Sequence, residues 1–356
     1  MFLSFSSHFT RYTFLFVIKM IYFIAFIAAI IGTIVFTPVS MLLAKKFDVL
    51  DYPRARKVHR QPLPRWGGIG IYCGVMFAIL ILLTSVGPFK ELLKFNTGEL
   101  SKQLAGIIFG STVVFVLGLI DDKKSIVAAS KLFVQIIAAY VAMDYGVRIS
   151  GLSLPFMSGY LQFPILLGQI ITVFWIIGFM NTINLADGLD GMAAGIVAIA
   201  SATFFVVALL QGDTKLVLLS KQLTFAAVLA AALTGACLGF LIFNFNPAKL
   251  FMGDSGALFL GFMLASISTI GTLKSTAVLA IVIPIVVVAL PILDVALAMF
   301  RRFRRGTGMM QPDKEHIHHR LLAYGWTHRE VVLLMYIFTL ILSIGSILLT
   351  VFKGKV

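Results

Sequence analysis

Long apolar runs recur from one end of this chain to the other, and they leave few folds open. A run of about 17 to 25 apolar residues is long enough to cross a bilayer as an α-helix. Ten such runs lie at roughly 21–43, 67–86, 104–120, 126–143, 164–180, 192–210, 222–242, 256–271, 277–299 and 330–350. Hydrophobic residues make up 60% of the chain, only 12% is Asp, Glu, Lys or Arg, and the mean hydropathy is +1.01. That composition excludes an ordinary soluble domain. The expectation is an all-α integral membrane protein with about ten transmembrane helices, because a helix satisfies its backbone N–H and C=O groups within the segment. No polar stretch between the runs is long enough for a second domain, so residues 20–356 read as one multi-span domain.

The first nineteen residues read differently. "MFLSFSSHFTRYTFLFVIK" begins Ser-rich, carries Arg11 and Lys19, and holds an apolar piece too short to span. It lacks the small-residue cleavage pattern of a secretory signal. Met20 is the better natural start, and residues 1–19 read as an upstream in-frame extension. Cys73 and Cys237 fall inside apolar runs, which leaves no loop pair for a disulfide or a thiolate metal site.

Basic residues set the expected orientation. The loops after odd-numbered runs contain Lys45, Lys46, Arg54, Arg56, Lys57, Arg60, Arg65, Lys123, Lys124 and the "RRFRRGTGMMQPDKEHIHHR" segment, and they outweigh the opposite set. Those loops are expected to be cytoplasmic, with both termini external. The net charge of +14 largely reflects this asymmetry. It points to anionic headgroups and phosphates rather than to nucleic acid.

The acidic residues fall on the same side. Asp121 and Asp122 end the third run, Asp187 and Asp190 follow the fifth, and Asp254 opens the eighth. His316, His318 and His319 share that side, which was assigned from Lys and Arg alone. In "GLIDDKKS" two carboxylates close a helix, where they oppose the macrodipole, and a cation between them would remove the penalty. In "NTINLADGLDG" the three-residue spacing puts Asn181, Asn184 and Asp187 on one helical face. Gly188 offers a break, after which Asp190 is placed to cap the next helix. In "FNFNPAKLFMGDSGALFLG" Asp254 or Ser255 can cap a helix whose free amides form an anion site, with Asn244, Asn246 and Lys249 nearby. In "DKEHIHHRLL", His316, His319 and Arg320 share a helical face, which suits a cationic phosphate clamp better than zinc. Asp294, inside the ninth run, is expected to pair with Arg301 or another basic residue.

Carboxylates and amide oxygens are hard ligands suited to Mg²⁺ or Mn²⁺, and Lys, Arg and His suit phosphate oxygens. Together they describe phosphoryl transfer between a water-soluble phosphorylated substrate and one embedded in lipid. A transporter also places ionisable groups in a helical bundle. Against it, these acids lie at one membrane face and no inverted repeat relates the two halves.

The four segments just quoted, in that order and preceded by "DYPRARKVHRQPLPRWGGIGIY", resemble the polyprenyl-phosphate N-acetylhexosamine-1-phosphate transferase family. The resemblance runs from Met20 nearly to the C-terminus. It implies Mg²⁺-dependent transfer of GlcNAc 1-phosphate from UDP-GlcNAc to undecaprenyl phosphate, with Mn²⁺ able to substitute. UMP is released, and a cell-envelope glycan (O-antigen, common antigen or a teichoic acid linkage unit) is initiated. It also implies a multi-pass protein of the bacterial cytoplasmic (inner) membrane, with the active site at its cytoplasmic face. The implied partners are both substrates and membrane lipid, with a homodimer left open.

Carried onto matching positions, the resemblance makes Asp121, Asp122, Asp187, Asp190, His316, His318 and His319 the candidate catalytic set. Lys131, Asn181, Asn184, Asn244, Phe251 and Arg320 are the candidate substrate-binding set, and Asp187 and Asp254 the candidate metal ligands. Phe251 would stack on uracil, and the His cluster with Arg320 would bind donor phosphates. The "HIHHR" pattern resembles the GlcNAc branch; the alternative is transfer of phospho-MurNAc-pentapeptide, whose enzyme carries three consecutive His. The "KKS" after "DD" departs from the bulky or aromatic residue common in the family.

Overall fold

The computed structural model describes residues 2–52, 62–153, 160–211, 217–271 and 321–353. Among them the helices are α1 (Phe2–Lys46), α2 (Gly68–Ser85), α3 (Gly87–Lys123), α4 (Ala128–Asp144), α5 (Ile165–Ala186), α6 (Met192–Gln211), α7 (Val217–Asn244), α8 (Gly253–Gly271) and α9 (His328–Lys353). Eight of these helices are long and apolar enough to cross a membrane. The remaining one, α4, has 17 residues and occupies the expected fourth span. The chain is a helical, multi-pass membrane protein. The expected ninth span, with Asp294 and Arg301, lies outside the described residues.

The helical expectation describes the bundle but not its connections. β1 (Leu50–Asp51) pairs antiparallel with β2 (Leu63–Pro64), and β3 (Gly151–Ser153) with β4 (Tyr160–Gln162). The stretch "GPFKELLKFNTGELSK", a polar connection between the second and third apolar runs, is partly helical and buries Phe89, Leu92 and Leu93. It joins the third span through a break at Phe95–Gly98, where Asn96 and Thr97 have φ of 51° and 55°. Left-handed backbone is disfavoured for both, Thr97 above all because it is β-branched.

The helices are ordered by how much of each is covered. In the membrane-length windows, 94% of α8 and 83% of α7 is buried, against 33% of α5 and of α9. α8 is therefore the central post, with α2, α3, α5, α6 and α7 packed around it. Two of its hydroxyls find partners in this dry place. Thr269 donates back to the Ala265 carbonyl, and the Ser268 hydroxyl accepts from Trp175 Nε1 of α5 at 2.9 Å. Ser201 of α6 and Thr234 of α7 bond each other at 2.8 Å. Such contacts between spans hold a bundle where lipid supplies no hydrophobic drive.

Candidate active site

The end of α3 meets the start of α8. Asp122 is 8% exposed, and its carboxylate accepts from Asp254 N at 2.9 Å, Ser255 N at 3.2 Å and Ser255 Oγ at 2.8 Å. Two glycines make the approach feasible. A Cβ on Gly118 would overlap the backbone of Asp254 and Ser255, and Gly253 turns at φ +72°. The anion site expected at "GDSG" is thus filled from within the chain. At its own helix end the Asp122 carboxylate is compensated by the amides that open α8.

Asp121 faces another way. Its Oδ1 accepts from Ile126 N at 2.7 Å, and its Oδ2 pairs with Lys131 Nζ of α4. Lys131 also donates to Asp254 Oδ2 at 3.0 Å. Asn184, near the end of α5, lies close enough to the same Asp254 carboxylate to stabilise its charge. Asp187 follows as the C-terminal cap of α5. Enclosure by protein raises its carboxyl well above the usual range, and the charges of Asp254 and Asp122 push the same way, opposed by Arg65. Residues from three helix ends and α4 thus form one acidic basin with a lysine in it.

The segment Pro64–Gly68 closes this basin from α2's side. Phe251 N donates to the Pro64 carbonyl at 2.8 Å, Gly67 N to the Phe251 carbonyl at 3.0 Å, and Gly68 N to the Met252 carbonyl at 2.9 Å. Trp66 Nε1 reaches the Leu119 carbonyl at 3.2 Å. Arg65 is thereby held over Asp122, Nη2 to Oδ1 4.0 Å. In the sequence Arg65 is one of seven basic residues in its loop, set apart only by its place two residues before a double glycine.

Four expected residues hold the frame. Asn181 donates to Gln135 Oε1 of α4 at 2.8 Å and to the Ile177 carbonyl at 2.9 Å, which commits both its protons. Asn244 is 2% exposed, accepting from Gly191 N at 3.0 Å and donating to the Leu250 carbonyl at 2.9 Å. Asp190 does not cap α6: its carboxylate accepts from Asn246 Nδ2 at 2.9 Å and Ala248 N at 3.1 Å. The helix breaks as expected around Gly188, between Ala186 and Met192, and the left-handed residue of the turn is Gly191, φ +78°. Phe251 is half-buried with its backbone fixed as above. From α9, Arg329 forks onto the Asn246 carbonyl at 2.8 and 3.0 Å, and Tyr336 donates to the Gly191 carbonyl at 2.5 Å. His316, His318, His319 and Arg320 lie outside the described residues.

Comparison with known proteins assigns the chain to a family. Residues 104–272 match the model of Glycosyl transferase family 4. The chain is 37% identical over 331 residues to the probable undecaprenyl-phosphate N-acetylglucosaminyl 1-phosphate transferase of Bacillus subtilis, covering 92% of this chain and 84% of that one. The chain belongs to glycosyl transferase family 4. Another relative is the decaprenyl-phosphate N-acetylglucosaminephosphotransferase of Mycolicibacterium smegmatis, 37% identical over 86% of this chain and 76% of that one. The undecaprenyl-phosphate alpha-N-acetylglucosaminyl 1-phosphate transferase of Escherichia coli K12 is 27% identical over 90% and 82% respectively. The family 4 match spans every basin residue from Asp121 to Asp254 and leaves Arg65 outside it.

Whether this family 4 site suits a divalent ion is a question of donors. Among the described residues no three acidic, His or Cys side chains form a ready-made ion site. The oxygens that do gather, from Asp121, Asp187, Asp254 and Asn184, are the hard type that Mg²⁺ takes, and Mg²⁺ commonly completes its set with substrate phosphate oxygens. The Lys131 ammonium between Asp121 and Asp254 shows that this spot favours positive charge. The donors fit an ion shared with a substrate.

Proposed function

We propose that this chain transfers GlcNAc 1-phosphate from UDP-GlcNAc to undecaprenyl phosphate, releasing UMP, at the cytoplasmic face of the bacterial inner membrane. The observation that supports it most is the meeting of Asp121 and Asp254 on Lys131, beside Asp187 and Asn184, at the ends of membrane-length helices. Acids, amide and ammonium together suit a diphosphate and an incoming phosphate. The relatives are named as GlcNAc-phosphate transferases to polyprenyl phosphates, which supports the choice of substrates.

A phosphate oxygen of the lipid attacks the phosphorus that bears GlcNAc. The bond from that phosphorus to the oxygen bridging it to UMP breaks, and UMP leaves with the electron pair. Lys131 attracts the lipid phosphate, and Asp121 beside it takes any proton the phosphate still holds. Asp122 and Ser255 fix α3 against α8 so that these groups stay in register. Mg²⁺, held through Asp187 and Asp254, would supply charge neutralisation at the diphosphate when bound.

The lipid side has a matching surface. A groove of about 350 Å³ lined by Phe109, Val113, Val116, Leu117 and Ile120 of α3 and Val134 of α4 ends beside Asp121, one helical turn from Lys131. Its almost wholly apolar wall suits a phosphate carried on a hydrocarbon chain.

The test is an assay of the purified protein with radiolabelled UDP-GlcNAc and undecaprenyl phosphate. Equal amounts of lipid-linked sugar and UMP are expected. UMP without lipid-linked product would overturn the reading.

A further inference from the structure

Arg65 is the basin's least committed cation among the described residues. Its backbone is fixed on both sides: its own N donates to the Val49 carbonyl at 3.1 Å, and the flanking Pro64 and Gly67 are bonded to Phe251. Its side chain is not. The guanidinium's closest acidic partner, Asp122, is 4.0 Å away, beyond hydrogen-bond length, and the Arg65 side chain remains 39% exposed. Asp122 does not depend on it, since three donors from Asp254 and Ser255 already serve that carboxylate.

The neighbouring cations are placed otherwise. Lys131 is tied to both Asp121 and Asp254. Lys123 sits over the Phe47 ring, 5.4 Å from its centroid. Lys124 and Lys249 are exposed. Arg65 Nη2 stops 4.0 Å from Asp122 Oδ1, and the guanidinium's charge also acts on Asp187, so the group stands within reach of the basin without a direct bond to either acid.

We propose that the Arg65 guanidinium is a phosphate-binding group of this site, engaging a substrate phosphate with two parallel N–H donors. Its planar fork matches phosphate oxygens in a way a lysine ammonium does not. The phosphate belongs either to the nucleotide diphosphate or to the lipid, and both present the same chemistry to Arg65. The inference rests on the transferase reading, and it adds a residue outside the family-matched segment to the binding set.

The experiment uses full-length protein in lipid-supplemented detergent, as wild type, Arg65→Ala and Arg65→Lys. Initial rates are measured with UDP-GlcNAc and undecaprenyl phosphate varied separately, UDP binding by calorimetry, and melting temperature without substrate. Arg65→Ala is expected to melt as wild type and to raise one KM by about tenfold or more, the scale of one lost charge-assisted contact. Arg65→Lys should restore only part of it. A raised KM for UDP-GlcNAc with weaker UDP binding assigns Arg65 to the diphosphate. A raised KM for the lipid with unchanged UDP binding assigns it to the lipid phosphate. Unchanged values for both substrates overturn the proposal. So does a lowered melting temperature fully rescued by Lys, because Arg65 then only supports Asp122. If wild type makes no lipid-linked product, the transferase reading fails, while UDP binding still reports on Arg65.

Discussion

Asp122 and Ser255 are joined twice across 133 residues of chain, since both the amide and the hydroxyl of Ser255 donate to the same Oδ2, at 3.2 and 2.8 Å. The pair fastens the end of α3 to the start of the most buried helix in the bundle. Neighbouring Asp121 points instead to Lys131. Two adjacent carboxylates have therefore been given separate work, one inside the frame and one in the basin.

That division predicts opposite signatures. Asp122→Ala strands two amides and a hydroxyl in a buried place, at a cost of about 1–3 kcal/mol for each donor left unserved. A clear fall in melting temperature is expected, along with lost activity. Asp121→Asn keeps an acceptor for Ile126 N and should lose rate with far less loss of stability. Paired melting curves and rates check this. An Asp122→Ala protein that melts as wild type but is inactive would place Asp122 on the substrate instead.

Much of this was legible in the sequence, and the part that was not has a common cause. Apolar run length marked the spans, and the scarcity of charge made each acid at a helix end stand out. Asp187 and Asp254 stood out by that contrast and Asn184 by its three-residue spacing, and the structure brings Asp254 within electrostatic reach of both. What periodicity does not encode is which distant element answers a polar group. Asp190 sat where a local capping rule applied, yet Asn246 and Ala248 took its carboxylate. Asn181 was read with the face it shares with Asp187, but Gln135 of α4 claimed it. Arg65 was hidden among six other basic residues of its loop until the pairing with Phe251 singled it out.

The acids of the basin carry the metal proposal. Activity is expected to vanish in excess EDTA and to return with Mg²⁺ or Mn²⁺. Asp254→Asn should lower the rate at least ~10²-fold, the scale for removing a group that stabilises charge in the transition state. Lys131 would keep Asp121 as a partner in that variant, so the fold should survive. Undiminished turnover of the purified enzyme in chelator would sink the proposal.

Sidedness is open to direct labelling. Lys249 and Lys94 are both exposed, near the basin and on the opposite-side segment respectively. In a background lacking Cys73 and Cys237, Lys249→Cys should react with an impermeant maleimide only after the cells are permeabilised. Lys94→Cys should react from outside. Labelling of Lys249→Cys in intact cells would put the basin on the wrong face for a cytoplasmic nucleotide sugar.

Donor choice rests on "HIHHR", which lies in the polar loop between the expected ninth and tenth spans. Arg and His there are long enough to reach past a diphosphate toward the sugar, and they end only a few residues before α9. That helix is itself bound to the basin's rim, through Arg329 on Asn246 and Tyr336 on Gly191. His316→Ala and Arg320→Ala should raise the KM for UDP-GlcNAc and leave that for undecaprenyl phosphate largely unchanged, because a loop cation facing the soluble donor acts on it selectively. UDP-MurNAc-pentapeptide should not be used. Steady-state kinetics with each substrate varied alone, and a side-by-side donor panel, check both statements. A rate with the pentapeptide donor at or above that with UDP-GlcNAc would move the chain to the peptidoglycan branch. Equal losses for both substrates in the loop variants would mean that the loop supports the basin as a whole, acting through α9 and its hold on Asn246.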